Sequence, residues 1–397
     1  MEGKGTKVWS LSQDAHEYER IKNLLSGRLA NSFTPEQINA HTLKESLEHL
    51  QVKANLEVIH DGSDIRKPYS KALPHLTSVK ALNGDWVHGY NTFNSIVISE
   101  VDQQIHLLQC TPYSYSDPHY NQAIGAGFTE KEIIENQLQA TDQALKERFP
   151  GVTLWHLLDR KHDDESTFAF IDGLKSHFVI RLKANRNSNE TKVDENGKTV
   201  FIKLNHARLT HTLTQPLERF VWKNKVYQQA SLTTAYGTLS LSENTYQVCR
   251  IEVKDRQGNP IFKEPMLLLT NAPIENLQQA FQLYQRYLKR SKIEGVFKFL
   301  KDYLGWEQFQ IRDFLAIQNI IVLCFFVAEY FYENQLQLTQ APQVAIICQL
   351  AKSKGTISKH FYQKGLAILA NYLLFQQYIN EQNLSQQQVN QLLSILN

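Results

Sequence analysis

Three carboxylates and one cluster of cations carry the chemistry that this sequence offers. Asp61 ends the β-forming run LEVIHD, and Asp159 ends the nearly unbroken apolar run VTLWHLLD. Carboxylates mounted on different elements at strand ends suit hard divalent cations, which prefer oxygen ligands and must stay open to a substrate. Enzymes that cut or join phosphodiesters with two metal ions need such a set. An acid after an apolar strand is also a common cap or turn residue, so neither aspartate speaks alone. The third acid, Glu294, stands in different company: between Arg286 and Lys301 the chain carries six basic residues and this single acid.

The segment YLKRSKIEGVFKFLK, residues 287 to 301, has no Pro, one Gly and apolar residues at three- and four-residue spacing, which predicts a helix. At about 100° per residue, Tyr287, Arg290, Glu294 and Lys301 fall at roughly 0°, 300°, 340° and 320°, in one narrow stripe. Ile293, Val296, Phe297, Leu300 and Leu304 form a neighbouring apolar stripe that can bury in a core and hold the polar one in place. A solvated face with i,i+4 pairs such as Arg290 and Glu294 is the competing reading. The excess of positive charge, which includes Lys298, suits a polyanion better than self-neutralisation.

The elements that must position these residues read as an α/β chain. Residues 1–52 predict short helices, with capping-box signals at Thr34 to Gln37 and Thr42 to Glu45. LEVIHD, YNTFNSIVIS (90–99) and QIHLLQC (104–110) predict strands, the last two as a hairpin. A helix over 129–149, the strand GVTLWHLLD, a helix over 165–175 and the strand HFVIRLKAN follow. The order βββαβαβ predicts a mixed sheet flanked by helices, over 53–189. Residues 190–270 turn all β, as an insertion into that body, and 271–335 return to it through MLLLTN and the Glu294 helix. Residues 336–397 read as helical, with the basic stretch 351–365 and a Gln-rich tail. On the strand after Asp159, Arg181 and Lys183 share the face opposite Phe178, Ile180 and Leu182, with Arg186 just beyond. Asp163, Asp164 and Glu165 read as acids at a helix N-terminus, and Asp85, in a Gly-rich turn before a strand, ranks behind Asp61.

Composition sets limits. With 397 residues, a net charge of +2 and a pI of about 8.2, the chain has no global field for a polyanion, so nucleic-acid affinity must come from local patches. The start, MEGKGTKVWSLSQ, has no apolar run of signal-peptide length, and a cytoplasmic location is expected. Cys110, Cys249, Cys324 and Cys348 show no paired spacing, which argues against a zinc knuckle or disulfide framework and for buried thiols. The apolar segment 314–332 is interrupted by Gln318, Asn319 and Glu329, and a buried core helix is expected rather than a membrane span.

The spacing Tyr287-x2-Arg290-x3-Glu294-x6-Lys301 matches in full the Y-R-E-K signature of the DDE transposases encoded by one large branch of bacterial insertion sequences. VIHDGSDIRKPYS resembles that family's first-aspartate segment, GYNTFNSIVIS its following strand, and LLDRKHDDESTFAFIDGLKSHFVIRLKANR its second-aspartate segment. The resemblance implies an RNase H-like core in which Asp61, Asp159 and Glu294 are catalytic and hold two Mg²⁺ or Mn²⁺ ions. It places Tyr287, Arg290 and Lys301 on DNA near the cleaved phosphate and makes the Arg181 and Lys183 face, with Arg186 just beyond, a DNA-facing surface, for which a solvated edge is the competing reading; Lys298 on the basic segment is expected as a further DNA contact. It further implies cut-and-paste transposition by a bacterial, nucleoid-associated homodimer on paired terminal inverted repeats, with strand transfer into target DNA. Residues 1–52 are expected to bind DNA, and the terminal helix of 336–397 is a candidate for dimerisation, with a solvated terminal helix as the competing reading. A hairpin intermediate stays open. One departure is Ser291, where some relatives place a tryptophan that handles a displaced base; Trp222 has stacking and packing as competing readings. The alternatives are a catalytically inactive, DNA-binding relative acting as a regulator, and a nuclease built on the same metal chemistry.

Overall fold

A computed structural model of the chain describes residues 14–120, 129–222, 225–241, 244–333, 342–351, 358–381, 385 and 387–389. The expectations for the start of the chain, for the basic stretch at 352–357 and for most of the Gln-rich tail lie outside these residues. The chain divides into two compact units, Met1–Phe326 and Val327–Asn397.

In the first unit, α1 (Ala15–Leu25) precedes α2 (Pro35–His49). α2 starts on the expected capping box: the Thr34 hydroxyl accepts from the Gln37 backbone N–H at 3.3 Å, and Gln37 Oε1 accepts from the Thr34 N–H at 3.0 Å. The second capping signal starts no helix. Thr42 is buried inside α2, where its hydroxyl donates to the Ile38 carbonyl one turn back at 2.9 Å.

The strands β1 (Asn55–Arg66), β2 (Thr77–Lys80), β3 (Trp86–Ile98) and β4 (Ile105–Tyr113) form an antiparallel meander. β2 is an addition to the three strands expected. Gly89 stands where β1, β2 and β3 meet, and a Cβ there would run into the Ile65 carbonyl and the Val79 side chain. After α3 (Glu130–Arg148) come β5 (Thr153–Leu158), α4 (Glu165–Gly173) and β6 (His177–Arg181), with β5 parallel to both β1 and β6. The order β4-β3-β1-β5-β6 is that of an RNase H-like core, flanked by helices as expected.

The β-rich insertion prolongs this sheet. β7 (Asn187–Val193) and β8 (Thr199–Lys203) pair only with each other among the described residues. β9 (His211–Trp222), β10 (Lys225–Leu241) and β11 (Asn244–Lys254) join the core through β12 (Met266–Thr270), which pairs with β6. The result is one ten-stranded sheet. The apolar faces of β5, β6, β11 and β12 bury Leu158, Phe178, Ile180, Val248, Leu267 and Leu269 against Phe168 and Ile171 of α4.

α5 (Leu277–Leu288), a 3-10 turn (Lys289–Ser291) and α6 (Lys292–Asp302) lead to α7 (Phe314–Glu333). α7 is long and apolar enough to cross a membrane, yet 61% of its apolar window is buried within the protein. Its polar Asn319 sits in the core, donating to the Leu25 and Phe33 carbonyls at 2.7 and 3.0 Å. In the second unit, α8 (Pro342–Leu350) and α9 (Lys359–Glu381) meet at Gly365, where any side chain would strike the Ile347 carbonyl. The four cysteines are free and buried, as expected.

β4 lies at the sheet margin, and α2 covers it. The Asn39 amide copies a strand neighbour, donating to the Cys110 carbonyl at 2.8 Å and accepting from the Cys110 N–H at 3.0 Å. Ser46 donates to the Leu107 carbonyl at 2.6 Å. This satisfies an edge that would otherwise bury open backbone groups. Replacing Asn39 by Leu should therefore cost about 2 kcal/mol, because both Cys110 groups lose their partner while staying buried. Urea unfolding of the two proteins measures this, and equal stability would mean that the edge finds other partners.

Candidate active site

Strand register brings the two aspartates together. The parallel ladder between β1 and β5 ends at the pair Ile59 and Leu157. Asp61 and Asp159 each lie two residues further on, and so on the same side of their strands as that pair. Asp61 does not end its strand, as the sequence suggested; β1 continues to Arg66, paired with β3, and Asp61 faces Asn94 in that ladder. It stands where β5 leaves β1 behind. Asp159 caps the 3-10 turn Arg160–His162, accepting from the Lys161 N–H at 2.9 Å. Burial pushes the Asp61 carboxyl up to about 6; the Arg290 guanidinium opposes this and the nearby Asp159 charge adds to it. His60, on the opposite face of β1, is fully buried between Ser95 and His156, where its role is structural.

The basic segment is two helices joined by a 3-10 turn, where one helix was expected. Its backbone stays right-handed helical throughout, so the polar stripe survives. Ile293, Val296, Phe299 and Leu300 are buried and fix α6 to the core. Arg290, in the 3-10 turn, donates to Asp61 Oδ2 through one terminal nitrogen and to Glu294 Oε1 through the other, at 2.9 Å. The Glu294 side chain remains 61% exposed, against 14% for Asp61 and 28% for Asp159. Among the described residues, the buried Arg290 Nε has no hydrogen-bond partner. Tyr287 is buried beside this group, and burial pushes its phenol up to about 12.

β1 and the basic segment are fastened together at three levels. Glu57, buried on β1, pairs with Arg286 at 3.4 Å and Lys289 at 3.1 Å. Asp61 takes Arg290, and the Asp64 carbonyl accepts from Lys301 Nζ at 2.6 Å. Lys301 also lies 3.6 Å from Glu307, which Arg66 grips through Nε and a terminal nitrogen at 2.9 Å each. The surplus of positive charge read from the segment is therefore largely neutralised within the fold. Lys292 and Lys298 are the two of its six cations that stand exposed.

The other expected contacts divide. Lys183 lines a cleft of about 560 Å³ with Asp159, Arg160, Lys161, Ala184, Asn185 and Glu264. Arg181 lines an adjoining one of about 550 Å³ that includes Arg160, Trp222, Lys225, Tyr227 and Phe262. Trp222 packs edge-on against Phe262 at 4.8 Å while facing this cleft. Arg186 departs from the expected outward role: its guanidinium binds Asp163 at 2.7 Å and lies 3.7 Å from Glu165. Asp164 is the helix cap expected, but Asp163 is buried, accepting from Arg186 and from the Lys183 N–H. Asp85 lies exposed in the β2–β3 turn, bonded to Asn83. The sequence reading passed over Arg160, which its position beside Asp159 could have signalled, and over Glu57 and Glu307, for which it held no local signal.

Asp61, Asp159 and Glu294 offer only oxygen donors, the set that Mg²⁺ and Mn²⁺ accept. The guanidinium shared by Asp61 and Glu294 marks a place where these acids call for positive charge. Among the described residues, however, the group whose ligand atoms already lie within 4.8 Å of one another is Glu45, Glu48 and His49 on α2; Asp61, Asp159 and Glu294 are not drawn that close. The three α2 residues are i, i+3 and i+4 residues of one helix, two of them exposed, apart from the sheet end that carries the aspartates.

The Transposase DDE domain family matches residues 55–329, and the chain belongs to it. With membership goes, in general terms, the activity of a DNA-binding and DNA-cutting transposase. No curated protein matches the chain.

The raised Asp61 pKa makes a prediction for the metal-free protein. The folded chain binds this proton more tightly than the unfolded chain, whose Asp61 keeps a pKa near 3.8. The ionised carboxylate therefore costs stability fully above about pH 6, and the cost fades as pH falls towards 4. In EDTA, wild type should gain stability relative to Asp61→Asn between about pH 7.5 and pH 5 in urea melts. Parallel profiles would contradict this environment for Asp61.

Proposed function

We propose that the chain is a cut-and-paste DNA transposase of the Y-R-E-K branch, with Asp61, Asp159 and Glu294 as the ligands of two Mg²⁺ or Mn²⁺ ions. The observation that carries this reading is Arg290, which links Asp61, 229 residues away, to Glu294 on its own segment. The chemistry such ions supply when bound is activation of the attacking oxygen and stabilisation of the leaving one.

The chain's own residues bind and orient the DNA. Arg290, released from the acids, presents a guanidinium fork to a phosphate of the cut strand. Lys301 offers a compact ammonium to the same backbone, and Tyr287 lies beside Arg290 as a neutral hydroxyl, its raised pKa keeping it protonated at physiological pH. Arg181, Lys183 and Arg160 line the clefts that continue from Asp159, where strands leading to the cut would lie. The DNA is double-stranded, comprising the terminal inverted repeats and a target, and two protomers act on paired ends. The route of excision, through a hairpin or otherwise, is left open by these residues.

Glu294→Ala tests the reading. Glu294 is exposed and takes no part in the core, so the variant should fold. With a plasmid carrying the chain's own coding segment and its flanking DNA, the variant should lose strand cleavage and joining by at least about a thousandfold, while DNA binding changes little. Cleavage equal to wild type would remove Glu294 from the site. Binding without cleavage by wild type itself would favour the regulatory relative.

A further inference from the structure

The β2–β3 hairpin leaves the sheet at the end that carries the carboxylates. Counting along β3 from Asn94, the partner of Asp61, Trp86 lies eight residues further, at most roughly 27 Å away. The inner face of this ribbon is closed: Thr77 and Val79 are buried. Its outer face is open. Lys80 pairs directly with Trp86 and Ser78 with His88, and all four are exposed. Trp86 is 71% exposed, Leu82 at the turn 92%, and Tyr69 in the preceding loop 96%. Leu82 and Trp86 thus place two large apolar side chains far into water on one projection, which leaves room there for an occupant.

Charge and continuity select that occupant. From Arg66 to His88 the chain has four Lys or Arg residues and one acid, Asp85. Lys71 and Lys80 are exposed, whereas Arg66 and Lys67 are turned inward to Glu307 and the Phe309 carbonyl. The Lys80 N–H donates to Asp64 Oδ2 at 3.2 Å, and Lys301 donates to the carbonyl of the same residue. The outer face therefore continues from the residue that holds Lys301. A two-stranded ribbon fits a DNA groove, and apolar side chains can wedge against base steps while lysines meet phosphates.

We infer that the outer face of the β2–β3 hairpin, through Lys80, Trp86 and the turn residue Leu82, together with the exposed Lys71 of the loop before β2, docks on the duplex DNA that runs on from the candidate active site. This inference rests on the proposed function, because that site fixes which DNA is held. The span along β3 corresponds to about eight base pairs of duplex.

Two double variants test it, Lys71→Gln/Lys80→Gln and Leu82→Ser/Trp86→Ala. All four side chains are exposed, and circular dichroism checks that the variants fold. Binding to a mixed-sequence duplex of about 50 base pairs is followed by anisotropy between about 50 and 200 mM KCl. The lysine variant should lower the slope of log K against log salt by about 1.8, for two lost phosphates. The apolar variant should bind about tenfold more weakly with the slope unchanged. Wild-type affinity and slope in both variants, beside a wild type that binds and cuts DNA, would overturn the hairpin inference alone. A wild type that binds no duplex would overturn the proposed function as well. A change in sedimentation of the apolar variant without DNA, at unchanged DNA affinity, would give the face to a second copy of the chain and overturn DNA as its occupant.

Discussion

Acids gathered at one end of a sheet repel each other, and the fold must meet that repulsion before any ligand arrives. The parallel register of β1 and β5 makes the problem unavoidable, since it carries Asp61 and Asp159 to neighbouring positions. Burial deepens it by taking water from Asp61, whose carboxyl rises to about 6. One guanidinium answers: Arg290 spans Asp61 and Glu294 and so ties the third acid, otherwise largely in solvent, to the first. A cation is thus part of the site from the start. On the proposed function, such a site would gain from a metal ion twice, through the oxygen donors that would receive it and through the guanidinium that it would release.

The same attachment organises the surroundings. β1 presents Glu57, Asp61 and the Asp64 carbonyl in succession, and the helical segment answers with Arg286 and Lys289, then Arg290, then Lys301. Beneath this seam, Ile293, Val296 and Leu300 are fully buried, which sets the distance at which the charged groups meet. The insertion takes part less directly. By extending the sheet through β12 on β6, it brings Trp222, Lys225 and Tyr227 to a cleft that also holds Arg160, the residue after Asp159.

Much of this was legible where the signal is local. The apolar run before Asp159 reads as a buried parallel strand because both its faces are covered. The polar stripe through Tyr287, Arg290 and Glu294 follows from helical periodicity and survives a 3-10 turn that no composition announces. What could not be read are contacts made across the chain. Six cations around one acid look like a surface for a polyanion, but Glu57 and Asp61 arrive from far away in sequence, and Glu307 from just past the segment, to neutralise most of them. Arg186 reads as an outward cation just beyond a basic strand face, yet the chain turns after Arg181 and delivers it to Asp163. β2 escapes notice for another reason, having only four residues, too few to establish an alternation.

Diffraction from crystals grown with Mn²⁺, using the anomalous signal of the metal, tests the central claim most directly. The account predicts two Mn²⁺ peaks about 3.5 to 4 Å apart, held by Asp61, Asp159 and Glu294, with Arg290 withdrawn from at least one of the acids. Mn²⁺ bound only at Glu45, Glu48 and His49, with Arg290 still closed on Asp61 and Glu294, would contradict it.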